Sequence, residues 1–379
     1  MNSKWKAVLG WLGSLQLTLL CLGAMMLLVF FGTLAQTTIG TFAAQRAYFN
    51  HFFIWTSFGG VQLPLLPGGL SIGLLWLVNL VAAFIVRFKW RAQDAGILIS
   101  HLGLILLIAG QGLTQLLARE SQMPVQEGAT ANYSESAFDT ELAVTMTSDP
   151  SFDEVVRIPY RFFDHPGTIR TPHLPFELRV LRFFRNAELA RGGGESLANR
   201  GVGMQVQVTE APPTFADNDR NNTTAYVEVT RNGESLGVWL LSLDLGAPQS
   251  VTVDGKEYRL NIRPRRFYYP FALTLKKFRH DVYPGTDIAK NFSSQVHLSN
   301  AAKGEERDAL IYMNHPLRYE GHTFYQASFG NNDTLSVFQV VQNPAWITPY
   351  LACLLVALGL AIQFLWHLAD FARSREAEA

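Results

Sequence analysis

Residues 96–110 read GILISHLGLILLIAG. One ionisable side chain, His101, stands in an otherwise apolar run. Whether protein or lipid surrounds it decides the class of fold. The run lies in a window from Asp94 to Arg119 that contains no other Asp, Glu, Lys or Arg, and three further windows share that property: Lys6 to Arg46, Arg46 to Arg87 and Asp333 to Asp370. Each holds an apolar run long enough for the ~20 residues with which a helix crosses a bilayer. The pattern predicts transmembrane helices over about 13–35, 69–87, 95–117 and 347–368. The first run is longer than the apolar core of a signal peptide and lacks a clear small-x-small cleavage site, so it reads as an anchor.

Overall 48% of the residues are hydrophobic and 16% are charged, with a formal net charge of +0. These averages hide a partition, because nearly all the acidic residues lie between Glu120 and Asp333. The cations flanking the spans set an orientation. Lys4 and Lys6 precede the first span, Arg87, Lys89 and Arg91 fill the turn between the second and third, and Arg373 and Arg375 follow the fourth. All fall on one side, the cytoplasmic side of the positive-inside rule. The expected organisation is a membrane region over 1–117 with an interfacial loop at 36–68, an extracytoplasmic β-rich domain over 118–345, and a last helix with a cytoplasmic tail over 346–379.

In the interfacial loop Phe42, Phe49 and Phe53 are spaced to share a helix face, and His51 reads as a polar tip at the headgroup level. Beyond about Tyr133 the period changes to two. ELAVTMT, GMQVQVTE, TAYVEVTR, YRLNIRP, FALTLKKF, SQVHLSN, HTFYQASF and LSVFQVVQ alternate or are β-branched, with turn residues between them as in TVDGKEY and TRNGES. Many short strands without a long helix predict an antiparallel β-sandwich or a related barrel. RFFRNAELARGGGESLANRG reads as a polar excursion with a mobile glycine-rich tip.

Cys21 and Cys353 both lie in predicted spans, so there is no disulfide framework, no C-x-x-C redox pair and no C-x-x-C-H haem attachment site. No Ser-His-Asp set, carboxylate pair or phosphate-binding glycine loop points to a hydrolase or an NTPase. The β region holds slightly more acidic than basic residues, which argues against a nucleic-acid partner. Arginine clusters at Arg179, Arg182 and Arg185 and at Arg263, Arg265 and Arg266 read first as solvated sheet faces, and second as a place for an anionic group.

His101 lies about six residues into its helix, roughly 9 Å from the cytoplasmic start. Burial disfavours its charged form, and neutral imidazole is the form that ligates haem iron. Gly96, Ser100, Gly103 and Gly110 flank it, and small residues admit a neighbouring helix or a flat macrocycle. An interhelical hydrogen bond to Ser14, Gln16 or Asn79 is the alternative use for the ring. His367 sits at the cytoplasmic end of the fourth span, where an interfacial role is more natural.

Five blocks occur in order: SLQLTLL with FFGTLAQTTIGTFAAQRAYF, GILISHLGLILLIAG, FALTLKKFRHDVYPGTDIAKNFSSQVHL, ALIYMNHPLRYEGHTFYQASFG, and the final span. In these the chain resembles the ResB/CcsB family of system II cytochrome c biogenesis proteins. In the fourth block the resemblance rests on Asn314, Pro316, Leu317, Tyr319, Gly321, Phe324, Tyr325 and Gln326; the block itself reads as an edge strand, a Gly turn and a strand, with a structural role. His315 and His322 fall outside that pattern and read as turn or surface histidines.

The resemblance implies an inner-membrane accessory subunit of a cytochrome c haem lyase complex rather than a catalyst by itself. Its implied partners are a CcsA-type haem-handling membrane protein, apocytochrome c and thiol-reducing factors. It implies haem b held transiently in the membrane, with His101 as one axial ligand and the partner supplying the second. The tryptophan-rich haem-presentation segment belongs to that partner, and the tryptophans here are scattered. The alternative reading is a membrane-anchored scaffold for apocytochrome that never touches haem.

Overall fold

A computed structural model describes residues 3–58, 61–87, 91–147, 152–192, 196–214, 220–286 and 289–378. The chain divides into two units. One comprises the chain up to Arg119 and from Gln342 onward, and the other comprises Glu120–Thr214 and 220–341.

Four stretches of the first unit are long and apolar enough to cross a membrane: Lys4–Ile39, Gly69–Arg87, Ala92–Leu117 and Thr348–Arg375. The first has 36 residues, ~54 Å as an unbroken helix, against a hydrocarbon core of ~30 Å. It is broken at Gly13 and Ser14 into α1 (Ser3–Leu12) and α2 (Leu15–Ile39), where the Ser14 hydroxyl accepts from Leu17 N and caps α2. A short turn, α3 (Thr41–Ala44), and a π-turn over Gln45–Phe49 follow. The remaining helices are α4 (Gly69–Arg87), α5 (Ala95–Leu117) and α6 (Thr348–Glu378). The second and third match the predicted spans, whereas α6 runs ten residues beyond its predicted end.

The loop after α2 is not one interfacial helix. Helical turns continue to Phe49, but Phe53 opens a hairpin of β1 (Phe53–Phe58) and β2 (Val61–Pro67). Phe49 turns inward, where its ring takes the space that Gly32 leaves open on α2. Ile54 is buried against Leu28 and Ile72. The Phe42 side chain, Lys89, and the glycine tip at Gly193 and Gly194 lie outside the described residues.

The second unit begins with β3 (Arg119–Gln126), β4 (Thr130–Met146), β5 (Glu154–Pro159), β6 (Gly167–Ile169), β7 (Glu177–Phe184) and β8 (Ala187–Arg191). It continues with β9 (Val206–Glu210), β10 (Thr224–Arg231), β11 (Glu234–Ser242), β12 (Gln249–Val253) and β13 (Lys256–Val282). Last come β14 (Ala289–Asn300), β15 (Glu305–Tyr312), β16 (Leu317–Tyr319), β17 (His322–Gly330) and β18 (Leu335–Gln342).

The main sheet runs β15-β14-β13-β4-β3-β18-β17-β16, with β5 added to β4 and β12 to β13. Its strands pair antiparallel at β12-β13, β13-β14, β13-β4, β14-β15, β16-β17, β3-β4 and β4-β5. Its two ends meet in a nearly closed barrel. Tyr312 and His315 exchange backbone hydrogen bonds, and the Tyr319 hydroxyl donates to Glu305 across the seam. Alternate residues fill the barrel, among them Met123, Val125, Leu273, Leu275, Val296, Leu298, Phe324 and Phe338.

Both predicted β architectures occur, because β4 and β13 are long enough to serve two cores. Their register slips at Pro264 and again between Tyr268 and Leu273. On the near side of those slips Leu142, Val144, Leu260 and Ile262 pack on Val180, Val227, Trp239 and Leu241 of a second sheet, β11-β10-β7-β6, as a sandwich. The tight turns follow their sequence signals. Asn232–Gly233 and Asp254–Gly255 both have positive φ, the type I′ pattern of two-residue hairpins. The polar excursion is more ordered than its composition implies. Ala187–Arg191 forms β8 against β9, with Ala187 and Leu189 in a third core beside Tyr226 and Leu240.

Candidate functional site

Two faces of α5 define the site. Gly96, Gly103 and Gly110 recur every seven residues and are buried. A Cβ on them would stand 2.5 Å from Gly359 O, 2.8 Å from Ala352 O and 2.4 Å from Thr348 Oγ1, respectively. That face is therefore filled by α6, which resolves the choice between helix and macrocycle at the glycines. At 100° per residue His101 stands ~160° round the helix from Gly103, on the side turned from α6.

The His101 ring is half-buried, and its Nδ1 lies 2.9 Å from the carbonyl oxygen of Ile97, one turn earlier. A carbonyl only accepts, so this bond puts the ring proton on Nδ1 and the in-plane lone pair on Nε2. It is the arrangement in which a histidine ligates through Nε2 while its other nitrogen is fixed by a backbone acceptor. The chemistry of the donor therefore fits a nitrogen ligand to haem iron.

Asn79 and Ser14, two of the polar residues weighed as His101 partners, bond elsewhere. Asn79, fully buried on α4, donates to Leu12 O at 2.6 Å and to Ser14 O at 3.1 Å, and accepts from the Thr18 hydroxyl at 2.7 Å. It thereby satisfies the carbonyls freed at the break between α1 and α2. Gly13 allows this approach, since a Cβ there would stand 2.8 Å from Ala83 N. His51 is exposed and bonds to the Arg46 carbonyl, and His367 meets Gln363 at 2.9 Å on an exposed face of α6.

The block from Asn314 to Gln326 is the seam of the barrel. Asn314 has φ 62° in the turn that brings His315 back to Tyr312, and Pro316 leads into β16. Leu317 and Phe324 are opposed across β16 and β17 and buried in the barrel core. Glu320 and Gly321, both at positive φ, make the turn between those strands. The Tyr319 hydroxyl accepts from Asn300 at 2.9 Å and donates to Glu305 at 2.9 Å. Gln326 Oε1 receives the Ser294 hydroxyl at 2.6 Å and the Ser336 hydroxyl at 3.1 Å, while Tyr325 points outward.

His315 and His322 flank the two ends of β16. His315 is exposed and stacks on Tyr312, with ring centroids 4.1 Å apart. His322 packs edge-on against Tyr269 and bonds to the Glu320 carbonyl, and burial pushes its imidazole below the ordinary value. Among the described residues no group of three or more His, Cys, Asp or Glu is placed to hold a metal ion.

The arginine clusters are mostly neutralised. Arg263 pairs with Glu141 at 2.9 Å, Arg266 with Glu135 at 3.0 Å, Arg265 with Asp139 at 3.9 Å and Arg179 with Glu228 at 2.5 Å. Arg182 lies over the Phe184 ring, and Arg185 stands near the Tyr160 phenol. The acidic partners on β4 went unassigned in the sequence. Pairing Glu135, Asp139 and Glu141 with the arginines needs the register of β4 on β13.

Residues 249–337 match the model of the ResB-like family. The chain is also 23% identical over 342 residues to Protein NrfI of Wolinella succinogenes, an alignment covering 89% of this chain and 32% of that protein. The chain thus spans about a third of the length of the relative it matches. The ResB-like resemblance read in the sequence blocks is present, and its matched segment covers β12 through the start of β18.

Proposed function

We propose that this chain is a membrane subunit of a cytochrome c biogenesis machine of the system II type. It acts with a CcsA-type partner to carry haem b through the membrane to apocytochrome c. The observation that carries the reading is the half-buried His101, its Nδ1 held by the Ile97 carbonyl, on an apolar helix of a ResB-like chain. The similarity to NrfI supports it.

In this reading His101 would give one nitrogen ligand to the iron of haem b, and the partner would give another. Ile97 O fixes the tautomer. The glycine face seats α6 and so sets the rotation that turns His101 toward a partner. The cations at the span ends support a cytoplasmic position for both termini. The β unit then stands outside and holds apocytochrome that thiol-reducing factors keep reduced. The attachment chemistry belongs to the partner, and this chain is accessory to it.

The test is co-purification with the partner and absorption spectroscopy of bound haem. His101→Gly is expected to lose most of the haem b signal and to regain it on adding imidazole. Equal haem content in wild type and variant, with no response to imidazole, would refute the ligand role.

One observation favours a second reading, a scaffold that binds apocytochrome without haem. The Ile97 bond alone satisfies a ring N–H in an apolar helix. Under that reading His101→Gln matures cytochromes at the wild-type rate.

A further inference from the structure

The outer face of β13, β14 and β15 carries a groove of about 790 Å³ that the reading above does not use. Two rungs of the sheet build it. Lys277 pairs with Gln295, which pairs with Leu310, and Arg279 pairs with Ser293, which pairs with Tyr312. Each rung thus runs from a cation through an uncharged polar residue to a largely apolar one. The groove lies along β14, with a cationic wall on one side and an apolar wall on the other. Ser293 is buried although it faces outward, as a floor residue must be, while Leu310 is 56% exposed.

The ends are defined too. At one end Lys276 reaches across β14 to both Asp308 oxygens at 2.7 and 2.8 Å, and His297 Nδ1 lies 2.8 Å from the same carboxylate. At the other end Asn291 donates to Asp281 at 3.4 Å.

The groove is lined by two cations, Lys277 and Arg279, and two carboxylates, Asp281 and Asp308, of which Asp308 is already bonded to Lys276 and His297. Elsewhere on β13, Arg259, Arg263, Arg265, Arg266 and Lys276 each meet an acid. Among the described residues Lys277 and Arg279 have none. Lone exposed cations are ordinary on a surface. Two on successive rungs, facing Leu310 and Tyr312 across Gln295 and the buried Ser293, make a patterned surface. Outward residues of one strand stand ~6.6–6.8 Å apart, the same as alternate side chains of an extended peptide.

We propose that this groove binds an extended polypeptide segment in which acidic and apolar side chains alternate. The acidic side chains meet Lys277 and Arg279, and the apolar ones meet Leu310 and Tyr312. The segment runs along β14 from the Lys276–Asp308 bridge toward Asp281, and those two carboxylates mark where its acidic positions end. The groove lies wholly within residues 249–337, the part of the chain that is ResB-like. The inference rests on the proposed function only in that the β unit receives a polypeptide.

The test uses the full chain in lipid nanodiscs and a fluorescein-labelled peptide of alternating Glu and Val, followed by anisotropy. Saturable binding is expected, weakening as salt rises. The double variant Lys277→Glu with Arg279→Glu should weaken it about tenfold or more, and the Gln pair less. Leu310→Ser should weaken binding while leaving its salt dependence unchanged. A Lys–Val peptide should prefer the charge-reversed variant.

Equal binding of the Glu and Lys peptides to wild type, or unchanged binding in both charge variants, would overturn the proposal. So would a concentration-dependent dimer dissolved by the same variants, since the occupant would then be a second copy. The readout contains no haem, so its failure and the failure of the His101 test are separable.

Discussion

In the helical unit the polar side chains of Asn79 and His101 find backbone carbonyls, whereas in the β unit the buried ions Arg263 and Glu141 find each other. Asn79 closes on the carbonyls of Leu12 and Ser14, and His101 on that of Ile97. Arg263 and Glu141, only 8% and 2% exposed, close on each other across β13 and β4. The difference follows from the surroundings. Where helices are to sit in hydrocarbon, an ion costs several kcal/mol even when paired, so neutral groups bonded to nearby backbone are the cheaper solution. A sheet uses most of its interior carbonyls in its own ladder, and a buried ion there is stabilised best by an opposite charge on the neighbouring strand.

The comparison can be broken most forcefully at the buried ion pair. Glu141→Ala leaves the Arg263 guanidinium buried without its counter-charge and is expected to lower stability by about 3–5 kcal/mol. Replacing the pair by Leu and Met should recover most of that loss. Denaturant unfolding of the purified chain measures both. If the single variant proves as stable as wild type, the pair does not carry the polar burial assigned to it.

The next effect is steric. Gly103→Leu drives a side chain into backbone atoms of α6 at Ala352 and Val356. A cost of about 1–3 kcal/mol is expected, read as a lower unfolding midpoint. If His101 holds haem, haem retention falls with it, because the rotation of α5 is set at this face. Gly112→Leu on the same helix, where no atom lies within 4 Å, is the control and should leave both readouts unchanged.

Asn79→Ala removes the bonds that close the break between α1 and α2, at about 1–2 kcal/mol. Thr18→Val, which loses one of them, should cost less. Equal losses in the two variants would show that the break is held by Ser14 and Gly13 rather than by Asn79.

The smallest effect is a pH slope. His322 has its folded-state imidazole pushed below the ordinary 6.5, chiefly by burial. The unfolded chain therefore binds a proton first as pH falls. The contribution of His322 to stability is whole above that value and is lost as pH drops through the folded one. His322→Phe should flatten the decline in melting temperature between about pH 7.5 and pH 5. A steeper decline in the variant would reverse the assignment.

The four charge-free windows and the period-two runs made the membrane helices and the antiparallel β unit legible, because lipid and pleated sheets each impose a pattern on composition. Asn232–Gly233 and Asp254–Gly255 were legible as turns because positive φ restricts residue choice. The hairpin after α2 was not, since FIWTSF is short and its aromatic residues suit a membrane interface equally well. The seam block from Asn314 to Gln326 was readable as structural, but which strands it joins was not. That pairing links residues such as Ser294, Gln326 and Ser336, which share no local pattern.

The sequence by itself determined that His101 stands alone among apolar residues on a helix long enough to span a bilayer. It also determined that its neighbours Gly96, Gly103 and Gly110 make a face without side chains. Only the tertiary structure decided that α6 fills that face and that Asn79 serves a helix break instead of the imidazole. It likewise decided that Glu135 and Glu141 neutralise the arginines, and that Lys277 and Arg279 stand on successive rungs opposite Leu310 and Tyr312. The physical reason is the same in each case. Periodicity and composition report which solvent a residue meets, whereas partners distant in the chain are chosen by strand register and helix packing.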